Sequence, residues 1–259
     1  MRNANMAARL ALAAIMAAIP LLCASAASVA GTLSALPPPA PVGALGARVL
    51  DPAAGDVVGI AQPILISFAG PIADRASLER SVVITSTRPV SGRFDWLDDR
   101  HVQWLPDGFW PAHTDVSVQV ASARTEFDVG DALVAVADTS THQVVVSIND
   151  QVVRTMPASM GKPGYETPLG TFPVIEKFRA MVMDSSTYGV PIDAPEGYRI
   201  DVEYAVRITW GGVFVHAAPW SVSQQGRANV SHGCINLNTQ NAKWFYDNAK
   251  KGDPVIVQY

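Results

Sequence analysis

Cys234 is the residue of this chain best suited to covalent chemistry. It stands eighteen residues after His216 and two after His232, inside the run Ser231-His232-Gly233-Cys234-Ile235-Asn236. A cysteine attacks carbonyls as the thiolate, and a neighbouring imidazole both depresses the thiol pKa from about 8.5 and takes the proton. Gly233 lets the backbone come close to a substrate and aim an N–H at a developing oxyanion, which bulkier residues hinder. Taken singly these residues say little, since a buried cysteine is usually a small hydrophobe and a buried histidine a satisfied polar group. Their combination describes a thiol nucleophile with its base. The same His216, His232 and Cys234 also form a three-donor set that, with water, could hold catalytic zinc, although no further acidic partner is marked.

Cysteine usage sharpens this reading. The 259 residues hold two cysteines, and Cys23 lies in a stretch that reads as an export signal: Arg2 and Arg9, an uncharged core over 10–22, then Ala24-Ser25-Ala26-Ala27. Cleavage is expected near Ala26 or Ala30; the uncharged run continues to about Gly31, long enough to serve instead as a retained anchor. Leu22 is too bulky for the site before a lipid-modified cysteine. Export to a periplasmic or cell-wall space is therefore expected, with membrane contact only through residues 1–30 if they stay attached. Cys234 is then a lone thiol in an oxidising exterior, where structural cysteines come in bridged pairs. A net charge of −4 argues against nucleic acid, and 16% charged with 49% hydrophobic residues argues for folded domains.

The elements that must position these groups follow from periodicity. Residues 31–47, including Leu36-Pro37-Pro38-Pro39-Ala40-Pro41, form an extended Pro/Ala-rich tether. Over 48–128, short alternating runs predict an antiparallel β sandwich: Ile64, Ile66 and Phe68; Val82 and Ile84; Phe94 and Trp96; Val102 and Trp104; Val116, Val118 and Val120. Asp98-Asp99-Arg100 is a hairpin turn, Asp74 opens a short helix over 73–80, and Trp96 and Trp104 belong to the core. Gly130-Asp131 marks the start of a second domain, 129–259. There Leu133 to Val136, Val144 to Ile148 and Val152-Val153 read as strands, with a turn at Asn149-Asp150. A Gly/Pro-marked loop, Met160-Gly161-Lys162-Pro163 to Thr167-Pro168-Leu169-Gly170, feeds another strand. Residues 178–200 suit a flap over a cleft or, equally, a plain hairpin. Gly212 to His216 alternates as a strand carrying His216 at its end. Asn238 caps a helix running to about Lys250, with Lys250-Lys251 at its negative end and Gly252 as its stop, and 254–258 closes the sheet.

The spacing H-x15-H-G-C-x-N, the flanking Ala218-Pro219-Trp220-Ser221 and the separate block Gly161-Lys162, Thr167-Pro168, Gly170, Phe172 resemble the L,D-transpeptidase (YkuD-type) catalytic domain of bacterial cell-wall cross-linking enzymes. The chain looks most similar to the mycobacterial kind, in which an immunoglobulin-like domain precedes the catalytic one. The resemblance implies a mainly β protein: an N-terminal immunoglobulin-like β sandwich, then a β-rich YkuD-type catalytic domain with one C-terminal-side helix. It implies Cys234 as nucleophile and His216 as base and then acid, oriented by the backbone carbonyl of Ala217, with the Gly233 N–H in an oxyanion hole. Ser231, His232, Asn236, Trp220 and Gly212, and Met183, Tyr188 and Tyr198 of the lid 178–200, would meet substrate. It implies no cofactor and no metal. The partners would be peptidoglycan stem peptides as donor and acceptor, joined between third-position diaminopimelate residues with release of D-alanine, and carbapenems as covalent inhibitors. Ala217 departs from the serine many relatives carry, and Gly211 from a small polar residue. Two other readings stand beside this one: a zinc-dependent hydrolase at His216/His232/Cys234, and a non-catalytic cell-wall binding module with an incidental thiol.

Overall fold

The computed structural model describes residues 46–259, so the expected leader over 1–30 and nearly all of the tether over 31–47 lie outside the described residues. The first strands are β1 (Arg48–Asp51), β2 (Val57–Val58), β3 (Ile64–Ser67), β4 (Val83–Ser86), β5 (Gly92–Trp96), β6 (His101–Pro106), β7 (Thr114–Val120) and β8 (Ala123–Val129), with helix α1 (Arg75–Ser81) between β3 and β4. They make two four-stranded sheets, ordered β1-β3-β6-β5 and β2-β8-β7-β4. Period-two alternation sets the faces: in β7, Val116, Val118 and Val120 are buried while Asp115 and Gln119 are exposed. Asp74 caps α1 by accepting the Ser77 N–H at 3.0 Å. Trp104 is buried, but the sandwich centres on Trp110, which packs against Trp104 and Phe127 and donates its Nε1–H to the Gln62 carbonyl at 2.9 Å. Trp96 sits at the margin, stacked on Phe68 with the Arg75 guanidinium over its ring.

The second assembly contains β9 (Leu133–Asp138), β10 (Gln143–Ile148), β11 (Gln151–Pro157), β12 (Gly170–Pro173), β13 (Glu176–Asp184), β14 (Arg199–Arg207), β15 (Phe214–Ala217), β16 (Ile235–Leu237), α2 (Thr239–Asn248) and β17 (Pro254–Gln258). One sheet is ordered β11-β10-β9-β17-β12 and the other β13-β14-β15-β16. Val144, Val146, Val206, Val215, Ile235 and Val255 meet between them, closed by Ala242 and Phe245 of α2. The mainly β architecture expected from the pattern is thus present, with α2 as the C-terminal-side helix. Residues 178–200 form a hairpin of β13 with β14, whose tip opens into a loop beginning with a 3-10 turn, Ser185–Tyr188.

The end of α2 departs from expectation. The helix stops at Asn248, because Ala249 turns to an extended conformation, and Gly252 lies beyond it in a turn with φ +83°. The cation at its negative end is also a different one. Lys177, from β13, donates to the carbonyls of Tyr246 at 2.7 Å and Ala249 at 2.6 Å. Lys250 and Lys251 serve elsewhere: Lys251 pairs with Asp51 of β1 at 2.7 Å. Around it the two assemblies share backbone bonds, from Gly59 N–H to the Lys251 carbonyl at 2.7 Å and from Ala61 N–H to the Gly252 carbonyl at 2.8 Å. A Cβ on Gly59 would stand 2.1 Å from the Asp253 nitrogen, so only glycine permits this approach.

Candidate active site

β15 and β16 run parallel in register, Val215 beside Ile235, His216 beside Asn236 and Ala217 beside Leu237. Alternation sends Val215, Ala217, Ile235 and Leu237 into the core and leaves His216, Asn236 and, two residues earlier, Cys234 on the opposite face. That face is the floor of a cleft of about 400 Å³, whose walls include Met183, Tyr198, Trp220, Ser231 and His232. The eighteen-residue gap in sequence closes because the intervening chain is a crossover between neighbouring parallel strands.

His216 is buried, and its Nδ1 bonds the Ala217 carbonyl at 2.9 Å. The acceptor there must be met by a hydrogen on Nδ1, so Nε2 carries the lone pair. Burial pushes the His216 pKa down to about 4, the Ala217 carbonyl pulling the other way. Burial likewise pushes the Cys234 thiol up to about 11, opposed by the Phe214 backbone N–H. The thiol donates to the Gly212 carbonyl at 3.7 Å, a contact that suits S–H and not a thiolate. Burial thus favours a neutral thiol and a neutral imidazole in the resting site. Tyr198 is kept protonated well above the usual phenol range, chiefly by burial and then by its bond to Tyr188.

Several of the expected site residues prove to hold one another. Ser231 Oγ donates to the Cys234 carbonyl at 2.6 Å and accepts the Gly233 N–H at 3.1 Å, so its hydroxyl staples the turn that carries Cys234. The Gly233 N–H, expected in an oxyanion hole, is spent on that staple; the glycine serves through its φ of +115°. Asn236 donates to Ser221 Oγ at 3.3 Å, holding the crossover loop. Trp220 packs against the His216 ring at 6.0 Å. Tyr188 and Gly212 line a neighbouring cavity of about 330 Å³, which shares Met183 and Tyr198 with the cleft. Among the described residues no group of three His, Cys, Asp or Glu side chains gathers as metal ligands, and His232 Nε2 is engaged by Glu196 at 2.6 Å, so the zinc reading lacks its donor set.

Sequence reading missed three supporting groups. Thr167 Oγ1 accepts the Gly161 N–H and donates to the Gly233 carbonyl, both at 2.9 Å, which is the physical work of the Thr-Pro block. Lys162 Nζ reaches Glu196 at 2.6 Å, and the Lys162 contact, with His232 second, holds the Glu196 carboxyl below its ordinary pKa. Lys162 and Thr167 stood in a noticed motif and could have been marked; Glu196 had no local signal.

The description of the L,D-transpeptidase catalytic domain family (YkuD) matches residues 132–257, and that of a bacterial Ig domain matches residues 41–126. L,D-transpeptidase 1 of Mycobacterium tuberculosis is 47% identical over 233 residues, spanning 90% of this chain and 92% of that protein. A solved L,D-transpeptidase structure, LdtMt1 in complex with imipenem, aligns with TM-score 0.80 at 48% identity over 82% of this chain and 99% of that one. L,D-transpeptidase 3 from M. tuberculosis, solved with a faropenem-derived adduct, aligns with TM-score 0.75 at 46% identity over 82% and 97%. With half of its residues shared along nearly the whole length of such relatives, and with the histidine and cysteine brought to one cleft floor by the β15/β16 register, the chain belongs to the YkuD-type L,D-transpeptidases that carry an N-terminal immunoglobulin-like domain.

Proposed function

We propose that the chain joins two peptidoglycan stem peptides through a thioester on Cys234. The thiol gives its proton to His216 Nε2 as its sulfur adds to the carbonyl of a third-position diaminopimelate residue. Collapse breaks the bond to the terminal D-alanine, whose amine takes the proton back from His216. The side-chain amine of a second stem then attacks the thioester and passes a proton to His216, which returns it to the departing sulfur as the C–S bond breaks, leaving the amide cross-link and the free thiol. Tyr198, a wall of the cleft, would donate to the oxyanion by turning its hydroxyl from Tyr188, in place of the Gly233 N–H.

The observation that carries this reading is Cys234 and His216 sharing one cleft floor, with His216 Nδ1 committed to the Ala217 carbonyl. Structures of relatives with imipenem and with a faropenem-derived adduct support a further reading, that a strained cyclic amide of the carbapenem class acylates Cys234 and is retained. The uncharged N-terminal run supports export to the cell-wall space, and residues 48–128 serve as a spacing module for the chemistry of 129–259. The test is mass spectrometry of products from a defined disaccharide-tetrapeptide. A dimer lacking one D-alanine is expected from the native chain and none from Cys234→Ala; a cross-link still made by that variant would refute the assignment.

A further inference from the structure

Glu196 lies in the tip loop of the β13/β14 hairpin, far in sequence from both of its partners. One oxygen, Oε2, receives Lys162 Nζ and His232 Nε2, each at 2.6 Å. The three residues come from three separate segments: the Gly-Lys loop, the hairpin tip and the turn that carries Cys234. The loop holding Glu196 is itself a defined turn, with Ala194 N–H on the Pro191 carbonyl and Gly197 N–H on the Ala194 carbonyl. A Cβ on Gly197 would stand 2.1 Å from the Pro191 oxygen. The His232 ring is wedged between Tyr165, edge-on at 5.0 Å, and Tyr198 at 5.3 Å, and Lys162 Nζ rides over the Tyr165 ring at 5.1 Å. Lys162 and His232 are partly covered, at 29% and 27% exposed, while the Glu196 carboxylate at 41% stays open to solvent and to salt.

This arrangement makes one carboxylate answerable for two geometries. Two residues after Glu196 comes Tyr198, a wall of the cleft, and two residues after His232 comes Cys234. Releasing Glu196 removes the polar ties of the hairpin tip to both the turn that carries Cys234 and the Gly-Lys loop, and leaves only the Tyr198–His232 ring contact between tip and turn. We infer that Glu196 is a positioning residue for acyl transfer, a clasp that uses Lys162 and His232 to hold the hairpin tip closed over the cleft before the acyl donor arrives. The inference rests on the acyl-transfer reading of Cys234. With the clasp in place, closure is already made in the free protein; without it, closure must be drawn from donor binding, and apparent affinity falls by the fraction of time the tip is closed.

Glu196→Gln keeps the size of the side chain and loses the charge. A drop of the closed fraction to about one tenth raises the donor KM about tenfold, with kcat changed by less than about twofold. Substrate-free alkylation of Cys234 by iodoacetamide should accelerate severalfold, because the tip opens more often. Lys162→Met should act the same way, Lys162→Arg should restore the native KM, and Glu196→Gln with Lys162→Met together should do little more than either alone. In the native chain, raising salt from low concentration to about 1 M should raise KM, and in Glu196→Gln it should not, which tests the clasp even if a variant folds poorly. An unchanged KM in a folded Glu196→Gln protein, a fall in kcat with KM constant, or a native KM indifferent to salt would overturn the inference. Absence of donor turnover in the native chain, with alkylation of Cys234 intact, would instead strike the acyl-transfer reading.

Discussion

Titrating the reactivity of Cys234 between about pH 6 and 9 discriminates a neutral thiol and imidazole from a preformed thiolate–imidazolium pair. With the thiol pushed up to about 11, only about 0.03% is thiolate near pH 7.5, and each unit of pH multiplies that fraction tenfold. With His216 pushed down to about 4, its proton is gone across the whole range and contributes no inflection. Burial opposes both the thiolate and the imidazolium, so the empty site favours the neutral pair over the ion pair before substrate binds. The bond from the thiol to the Gly212 carbonyl points the same way, since a carbonyl oxygen would repel a thiolate. Alkylation by iodoacetamide, followed by intact mass, should therefore rise about a thousandfold from pH 6 to 9 with unit slope and no plateau. His216→Gln should leave that slope unchanged while lowering donor turnover by about two to four orders of magnitude through loss of the base. A plateau beginning below about pH 8 in the native chain, abolished in His216→Gln, would refute the neutral-pair argument.

Two buried groups give opposed pH dependences of stability. His216, lowered from 6.5 to about 4, contributes stability that is present above 6.5 and lost as pH falls towards 4; Asp253, raised by burial from 3.8 to about 6, contributes stability present below 3.8 and lost as pH rises through 6. Each spans about 3 kcal/mol, so urea melts should show His216→Gln losing stability from pH 4 to 6 and Asp253→Asn gaining it, and parallel profiles in both variants would count against the shifts. Ala217→Ser should keep donor turnover within about twofold, because the carbonyl is what His216 uses, while thermal melting falls by an amount equivalent to about 1–2 kcal/mol from placing a hydroxyl among Val215, Leu237 and their neighbours; a tenfold rate change would show that the side chain matters. Gly59→Ala should destabilise by about 2–4 kcal/mol and expose the chain near Gly130 to limited proteolysis, whereas Gly70→Ala, where an added Cβ meets nothing within 4 Å, should do neither.

Much of the scaffold was legible from local rules. Alternation marked β7 and β15, because a strand with one covered face must repeat with period two, while apolar runs marked β9 and β10. Asp74 and Asn238 marked their helix starts because a cap bonds an N–H only three residues away. Trp110 escaped because it enters the sandwich from a loop, where no period applies. The end of α2 escaped because Lys177, from another strand, supplies the charge at its last carbonyls.

For the site, residue type and spacing pointed to Cys234 as nucleophile and His216 as base and, with the flanking blocks, to the family; the Ala217 carbonyl came only from the resemblance. The nucleophile and base rest on short-range chemistry: a thiol, two imidazoles and a glycine within one turn and one strand. Only the tertiary structure decided that Gly233 lends its N–H to Ser231, that Gly212 accepts the thiol, and that Thr167 and the Glu196 clasp brace the nucleophile turn. Each of those bonds joins a donor and an acceptor whose meeting depends on strand register or loop path, and a single carboxylate such as Glu196 carries no pattern of its own. The protonation state of Cys234 and His216 likewise waits on tertiary packing, because burial is what moves the two pKa values apart.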